Sequence, residues 1–363
     1  MKVAVHNDGP ELRGSEKQLI LLARGLAARK HDVTASCRAG SGIEAALAEA
    51  DIRTTRIRPR GDLDVVSAMR FGRWLSHEAP DVLFLTSWKR VPVAVAAART
   101  ARVRRIVVRL GLVKPIPAAG QKYLRYRTAL EHVDALILNS QDSAERWRAV
   151  APWFDESRVH IVHNAIEPLR AAPLDRRTLG VPAAARLLLT AAGLEKRKGI
   201  GTLLEALAKL PPAVHLAVAG DGPEQDALRR RTTQLGLDDR VHWLGFRRDV
   251  PALMATANAF VLPSRHDSFA SSILEAMIAG LPIVTTSGSG VSHALGEADG
   301  RGPAGWLVPP DEPDLLAYAI AEALSSDAVI RGEEARCRAC EWFDVERMVE
   351  RYESILQGQP LHA

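Results

Sequence analysis

The sequence predicts two α/β domains, each built on a buried parallel sheet, with a cleft between them. A length of 363 residues is too great for one ordinary core and suits two domains of roughly 150–200 residues. Short apolar, β-branched runs alternate with helical patterns, and this alternation restarts after a looser segment, 167–185, that is rich in Pro, Ala and Arg. We therefore expect two Rossmann-like halves.

The N-terminal half contains five apolar runs that are typical of buried parallel strands. These runs are 3–5, 33–36, 82–85, 106–108 and 135–138. Between the first two, apolar residues recur at helical spacing over 15–30, and Ser15 stands before them as the expected helix cap. The pattern predicts a βαβ unit.

The C-terminal half repeats the pattern. Its expected strands are 187–191, 214–219, 241–244, 259–262 and 283–286, with helices such as 202–209 and 223–235 between them. A last helical stretch, 345–356, has no strand after it. From periodicity alone it could cap either half.

Composition narrows the class of protein. With 47% hydrophobic and 25% charged residues, the chain is typical of a soluble globular protein. It has no apolar run of about 20 residues and no apolar segment of a signal peptide, so we expect a cytoplasmic protein. Cys337 and Cys340 form a CxxC without the second pair that a zinc site needs. We expect no metal and no cofactor.

Charge is distributed unevenly. Residues 1–170 carry 28 Lys and Arg against 18 Asp and Glu, whereas the remainder carries 20 against 25. Such a split indicates that the N-terminal half meets an anionic partner. Within it, 99–127 has nine basic residues and no acid. This segment is either a solvated face or a surface that faces an anion.

The segment 263–282 contains the densest group of chemically useful residues. An expected strand ends at Leu262, a loop of small residues follows, and a helix starts near Ser272. Ligands of open α/β sheets bind at this position. Asp267 and Glu275 bracket the loop, and carboxylates suit the vicinal hydroxyls of a sugar or ribose. The alternative for Glu275 is a capping box with Ser272.

Other glycine-containing loops follow expected strands. Segment 193–199 places Lys196, Arg197 and Lys198 beside a flexible turn, which suits a diphosphate or is simply a solvated basic turn. Segment 220–223 is most simply structural, with proline at a favoured helix start. Segment 287–290 offers backbone N–H groups suited to phosphate.

A further glycine lies at the start of the first helix, where Arg13-Gly14 would let a ligand approach backbone amides. The sequence has neither a GxGxxG fingerprint nor a Walker motif. This disfavours a NAD-dependent oxidoreductase.

Taken in order, these loops resemble the retaining glycosyltransferases of family 4, which have the two-domain GT-B fold. The motifs that carry the resemblance are Lys198-Gly199, Gly220-Asp-Gly-Pro223, Trp243-Leu-Gly-Phe246, Ala259-Phe-Val-Leu-Pro-Ser264, Asp267-x7-Glu275 and Gly280-x-Pro282. The likeness extends more weakly through Gly14-Ser-Glu, Leu138-Asn-Ser140 and Val162-His-Asn164. It implies an acceptor-binding domain over 1–168, a nucleotide-sugar-binding domain over 169–340, and a final helix over 341–363 that crosses back to the first domain.

The resemblance also implies a donor site. Glu275 would hold the ribose, Lys198 the diphosphate, and Asp267 the donor sugar. The remaining implied donor-binding residues are Gly14, Arg197, Gly245, Phe246, Arg247, Ser268, Phe269, Ala270 and Ser271.

The chain departs from the family pattern in three places. The first acid is Asp267 rather than Glu. An arginine that commonly precedes the lysine is missing, with Arg197 as the candidate replacement. Where many members have a histidine after a strand, this chain has Arg109, so no catalytic histidine is expected.

The implied activity is retaining transfer of a sugar from a UDP- or GDP-sugar, with Lys198, Asp267 and Glu275 as the catalytic residues. Fixed cations aimed at the departing diphosphate would do the work of a metal ion. As an exposed loop lysine, Lys198 should contribute little to stability. The alternatives within this fold are a nucleotide-sugar 2-epimerase and an inactive nucleotide-sugar-binding relative.

The basic N-terminal half is expected to face the acceptor, a glycan that is lipid-linked or carries phosphate, in cell-surface polysaccharide synthesis. The residues assigned to this surface are Arg102, Arg104, Arg105 and Arg109. Each basic residue near an anionic membrane is worth about 1 kcal/mol. We therefore expect peripheral contact with the inner face of the plasma membrane, and no nucleic acid partner.

Overall fold

The computed structural model describes residues 1–9, 12, 14–57, 65–116, 119–168, 171–298 and 300–359. The chain forms two compact units. One unit contains Met1–Ala165 together with Val345–Ala363, and the other contains Ile166–Asp344. The divisions expected at 168 and 340 lie within a few residues of these boundaries.

The first unit is built on a seven-stranded, wholly parallel sheet in the order β3-β2-β1-β4-β5-β6-β7. Its strands are β1 (Lys2–His6), β2 (Asp32–Ser36), β3 (Arg53–Thr55), β4 (Val82–Leu85), β5 (Arg105–Leu110), β6 (Ala135–Leu138) and β7 (Val159–Ile161). Its helices before the boundary are α1 (Gly14–Ala28), α2 (Gly42–Glu49), α3 (Val65–Glu78), α4 (Val91–Thr100), α5 (Gly120–Leu130) and α6 (Gln141–Val150). Apolar cores lie on both sheet faces.

The second unit repeats this design with a six-stranded parallel sheet in the order β10-β9-β8-β11-β12-β13. Its strands are β8 (Arg186–Ala191), β9 (Val214–Ala219), β10 (Val241–Gly245), β11 (Ala259–Leu262), β12 (Ile283–Thr286) and β13 (Trp306–Val308). Its helices are α7 (Ile200–Ala208), α8 (Gln225–Gln234), α9 (Val250–Thr256), α10 (Ser271–Ile278), α11 (Ser292–Leu295), α12 (Pro313–Ala323) and α13 (Ala328–Trp342).

All ten strands expected from the sequence are confirmed, and three strands that were not expected are present. The unexpected strands β3, β7 and β13 have three residues each and lie at sheet edges. β3 (Arg53–Thr55) is polar and β7 (Val159–Ile161) is interrupted by a histidine, so neither is an apolar run. β13 (Trp306–Val308) is an apolar run of three residues that was not assigned to a strand. The expected cap of α1 is wrong, because the helix already begins at Gly14 and the Ser15 hydroxyl donates to Glu16.

The last helix, α14 (Val345–Gln357), packs on the first unit. Its apolar face, which includes Val349 and Tyr352, is buried in the same core as α1. The two helices approach closely at Gly25, where an added Cβ would lie 2.3 Å from Val349 Cγ2. Arg29 on the adjoining turn forms ion pairs with three glutamates of α14, of which Glu353 at 2.9 Å is the most buried. These contacts decide which unit the helix covers.

No helix within the described ranges is long and apolar enough to cross a membrane.

Candidate functional site

Lys198 and Asp267, which lie 69 residues apart in sequence, form a buried ion pair. Lys198 closes a short turn after β8, and Asp267 follows β11, the neighbouring strand in the sheet. Lys198 is 8% exposed and Asp267 is 6% exposed. Arg197 Nη1 lies 3.6 Å from the other carboxylate oxygen of Asp267. Three residues expected in one site therefore meet at the carboxyl edge of the second sheet.

A glycine lets the two loops approach this closely. Gly199 has φ +68°, and a Cβ at this position would lie 1.9 Å from the carbonyl oxygen of Pro263. The contact continues where the Arg265 N–H donates to the Arg197 carbonyl at 2.8 Å. Only glycine can occupy position 199 without moving the lysine turn away from the β11 loop.

The expectation that Lys198 is an exposed loop lysine is wrong. The ammonium group is withdrawn from water and depends on the Asp267 carboxylate as its counter-charge. A buried pair of this kind contributes little net stability when intact, but removing one partner leaves a costly unpaired charge. Lys198 therefore supports the fold as well as the site.

The glycine-rich segment 287–290 holds the backbone of Asp267 in place. The Asp267 N–H donates to the Gly288 carbonyl at 3.2 Å, and the Gly290 N–H donates to the Asp267 carbonyl at 2.8 Å. The N–H groups of Ser287 and Ser289 donate to the carbonyls of Val308 and Thr286. The interpretation of this segment as a phosphate loop is not supported, since three of its four N–H groups already donate within the protein.

Glu275 does not belong to a capping box. Helix α10 begins at Ser271 with Ala270 as its N-cap, and no side chain caps it. Ser272 therefore lies inside the first turn, where it cannot act as the cap of a box with Glu275. Glu275 lies half-buried on the second turn. The capping-box alternative for Glu275 is therefore wrong.

The segment 268–270, between Asp267 and α10, is buried. Phe269 belongs to the core of the second unit, where its ring meets Phe343 edge-on with centroids 5.4 Å apart. Its side chain supports the loop from below. The Phe269 side chain therefore belongs to the core and not to a ligand site.

The end of β10 presents an exposed aromatic ring. Phe246 is 57% exposed, and Gly245 before it has φ +64° with no atom within 4 Å of an added Cβ. Arg247 is held by Asp249 through two hydrogen bonds of 2.7 and 2.5 Å. A flat, exposed ring beside a fixed guanidinium group suits stacking on a planar base.

The turn Gly220-Asp-Gly-Pro223 is structural, as expected. A Cβ at Gly220, whose φ is +140°, would lie 1.9 Å from the Ala192 carbonyl oxygen. The Gly220 N–H donates to the Gly245 carbonyl at 2.7 Å, which ties the ends of β8, β9 and β10 together.

The arginines assigned to an anion-facing surface are in three different environments. Arg109 is 4% exposed and its Nη2 donates to Asn164 Oδ1 at 2.6 Å, so its assignment to that surface is wrong. Arg105 is half-buried, and its Nε donates to the Ile355 carbonyl of α14. Arg102 and Arg104 are exposed, but they precede β5 and therefore lie at the amino edge of the first sheet.

At the carboxyl edge of the first sheet, Gly14 begins α1 as expected, while Arg13 lies outside the described residues. The same edge holds a polar cluster that sequence reasoning missed. The Asp8 carboxylate accepts from the Ser87 hydroxyl and from Arg90 Nε, the latter at 2.8 Å. Burial alone would raise the pKa of Asp8, but these hydrogen bonds outweigh it and hold the pKa below its usual value.

A buried histidine lies beside this cluster. His6 Nδ1 is 2.8 Å from Ser36 Oγ, and burial lowers the pKa of His6 to about 4. His6 is therefore neutral at physiological pH. The signal that could have identified the cluster was the run His6-Asn-Asp8 directly after an apolar strand, matched by the polar residues after β4.

Two family models match this chain. Residues 13–165 match the glycosyl transferase 4-like domain, and residues 172–339 match glycosyl transferases group 1. Together with the two parallel sheets, these matches identify the chain as a two-domain glycosyltransferase with the GT-B fold.

The matched relatives include an enzyme of lipopolysaccharide core synthesis and solved structures with bound UDP or UDP-glucose. The chain is 28% identical to the lipopolysaccharide core biosynthesis glycosyltransferase LpsE of Rhizobium meliloti, over 99% of this chain and 100% of LpsE. The crystal structure of Anabaena HepE in complex with UDP-glucose aligns with a TM-score of 0.85 at 26% identity, covering 99% of this chain and 100% of that one. HepE in complex with UDP and glucose aligns with a TM-score of 0.86, again at 26% identity and with the same coverage.

Proposed function

We propose that this glycosyltransferase transfers the sugar of a UDP-sugar, with retention of anomeric configuration, to a lipid-linked or phosphate-bearing glycan. The observation that carries the proposal is the meeting of Lys198, Arg197 and Asp267 at one sheet edge. The complexes of HepE with UDP and with UDP-glucose favour uridine over guanosine as the base.

The donor would bind along the carboxyl edge of the second sheet. Phe246 stacks on the base, Glu275 accepts from the ribose hydroxyls, and Lys198 binds the diphosphate. Helices α7 and α10 both begin at this edge, so their positive amino ends add to the field that attracts the diphosphate. A diphosphate that draws Lys198 away would leave Asp267 with Arg197 as its remaining cation.

The reaction breaks the bond between the anomeric carbon and the phosphate oxygen. Negative charge develops on the departing diphosphate, and Lys198 and Arg197 stabilise it. Asp267 faces the sugar as positive charge develops there. We propose that the departing phosphate takes the proton of the attacking hydroxyl on the same face of the sugar, which retains the configuration.

The donor base is tested by thermal stability with UDP, GDP and ADP, followed by the corresponding sugars. A ligand at 100 times its Kd should add about 2.7 kcal/mol of stability. We expect UDP to stabilise the protein and the product of a UDP-α-sugar to be an α-glycoside by NMR. Stabilisation by GDP alone, or a β-glycoside, would contradict the proposal.

The role of Glu275 is tested by Glu275→Gln. Removing the charged acceptor for the ribose hydroxyls should cost about 1.5–3 kcal/mol, which is roughly a 10- to 150-fold loss of UDP affinity. Glu322→Gln, an exposed change in the same unit, is the matched control. Unchanged UDP affinity in Glu275→Gln would remove Glu275 from the site.

The metal-independent mechanism is tested with EDTA, which should leave turnover unchanged. Loss of activity that magnesium restores would contradict it. Assays with and without acceptor separate transfer from 2-epimerisation, because an epimerase converts the donor when no acceptor is present. Binding of UDP-sugar without turnover in either assay would favour an inactive relative.

A further inference from the structure

An apolar groove crosses the first unit far in sequence from the donor site. Helix α4 lies between α3 and α5, and the groove runs over α4 with a volume of about 680 Å³. Met69, Val93 and Ala96 are among the residues that line it, with Arg73 and Arg125 on its walls. Its volume is within the range of sites that enclose a ligand, about 300–1,000 Å³.

The groove follows from the sequence of its floor. Helix α4 consists of Val, Pro and Ala apart from Arg99 and Thr100 at its end. The small side chains of α4 leave space between α3 and α5, which carry longer side chains. Ala96 is exposed although it is apolar. Gly72 has no side chain, so the wall formed by α3 is open at that position.

The rim of the groove is positively charged. Arg73 and Arg125 line it, and Arg70 and Lys122 are exposed on the same two helices. Within the described part of the chain these four side chains have no ion-pair partner. Helices α4 and α5 contain no acidic residue. The unpaired charges make this helical layer a favourable surface for anions.

Large apolar side chains are exposed on the same layer. Val66 and Met69 on α3 are 64% and 55% exposed, and Leu124 on α5 is 62% exposed. Apolar groups in a setting of unpaired cations combine the two features that hold a protein on an anionic lipid surface. A soluble anion would use the cations but not the apolar groove.

We propose that this groove docks the protein on an anionic phospholipid bilayer. Arg73 and Arg125 pair with lipid phosphates, and the groove with Met69 receives acyl-chain carbon from the outer part of the leaflet. The inference deepens the proposed function, on which it rests, because it names the surface that brings the enzyme to a membrane-borne acceptor. It moves the contact from Arg102, Arg104 and Arg105 to the faces of α3, α4 and α5.

Co-sedimentation with vesicles tests the proposal. The vesicles contain phosphatidylcholine alone or phosphatidylcholine mixed with phosphatidylglycerol, at low and high salt. We expect the wild-type protein to bind only the anionic vesicles and to bind them more weakly at high salt. Arg73→Glu with Arg125→Glu should weaken this binding by about 25-fold or more, since each lost charge is worth about fivefold.

Two further variants separate the groove from general charge. Met69→Ser should weaken binding to anionic vesicles without changing its salt dependence. Arg177→Glu with Arg230→Glu, two exposed arginines of the second unit, makes the same change of net charge and should bind like wild type. Equal losses in the two double variants would overturn the proposal, as would the absence of wild-type binding to anionic vesicles.

The remaining outcomes distinguish other occupants and the proposed function itself. Size-exclusion chromatography with light scattering tests whether the groove binds a second copy of the chain. A wild-type dimer that becomes a monomer in Arg73→Glu with Arg125→Glu would assign the groove to that second copy and overturn membrane docking. Stabilisation by UDP is measured on the same variants and should not change. If the wild-type protein is stabilised by UDP but does not bind vesicles, only the docking proposal is rejected. If UDP does not stabilise the wild-type protein, the proposed donor is rejected.

Discussion

Asp267→Asn tests whether the buried pair with Lys198 determines the stability of the second unit. The substitution keeps the size of the side chain and removes its charge, which leaves Lys198 buried with no counter-charge and Arg197 3.6 Å away. Breaking a buried pair in this way costs about 3–5 kcal/mol. For a unit the size of Ile166–Asp344, a loss of about 3 kcal/mol lowers Tm by about 6–12 °C.

Lys198→Met should cost less than Asp267→Asn, because the Asp267 carboxylate would keep Arg197 as a partner. The double variant, Lys198→Met with Asp267→Asn, buries no charge at the pair and should be more stable than Asp267→Asn alone. The stability change of the double variant minus the sum of the changes in the two single variants gives the coupling free energy of the pair. The structure therefore predicts an order of stabilities as well as a magnitude.

The assay is denaturant unfolding of wild type, the two single variants and the double variant. Arg265→Met is the matched control, because the Arg265–Asp311 pair of 2.7 Å is about half exposed and such pairs contribute about 0–1 kcal/mol. If Asp267→Asn costs no more than this control, or less than Lys198→Met, the reasoning from burial is refuted.

Three further predictions concern the fold. The pKa of His6 is about 4 in the folded protein and 6.5 in the unfolded chain. The stability that the neutral His6 contributes is therefore complete above pH 6.5 and is lost as the pH falls toward 4. We expect the free energy of unfolding to be about 2 kcal/mol lower at pH 5 than at pH 7, and His6→Asn to flatten this pH dependence. Gly25→Ala should destabilise the protein by about 1–3 kcal/mol, because the added methyl group would meet Val349. Adding Val349→Ala to this variant should restore stability. A Gly25→Ala variant more stable than wild type would show that α14 does not pack there. Gly199→Ala should cost about 3 kcal/mol or more and weaken UDP binding, and normal UDP affinity would contradict the close approach to Pro263.

Much of the fold was predictable because buried parallel strands leave a strong trace in a sequence. Most of the ten expected strands are rich in apolar residues, because a strand that is covered on both faces buries nearly all of its side chains. The edge strands β3 and β7 were missed because polar residues interrupt them, whereas β13 is an apolar run of three residues that was not assigned to a strand. The candidate donor loops were also predictable, since ligand loops follow the carboxyl ends of strands and strand ends can be located from the same runs.

Errors in the candidate site came from features that depend on contacts between distant segments. Lys198 was expected to be exposed, because a run of three cations beside glycine usually lies in water; the Asp267 carboxylate allows it to be buried. Arg109 was assigned to an anion-facing surface from the charge of its segment, but its guanidinium is paired with Asn164 inside the first unit. Charge counts record how many cations a segment has and not where each one points.

The sequence by itself determined the two-domain α/β class, the central strands and the loops that carry the candidate donor residues. These depend on local periodicity and on the order of elements, which a chain carries without reference to its folded neighbours. Tertiary structure alone decided that α14 covers the first unit, that Lys198 and Asp267 neutralise each other, and that α3, α4 and α5 enclose an apolar groove with a basic rim. The physical reason is that burial, ion pairing and cavity shape are properties of pairs of segments, which packing brings together from positions far apart in the chain.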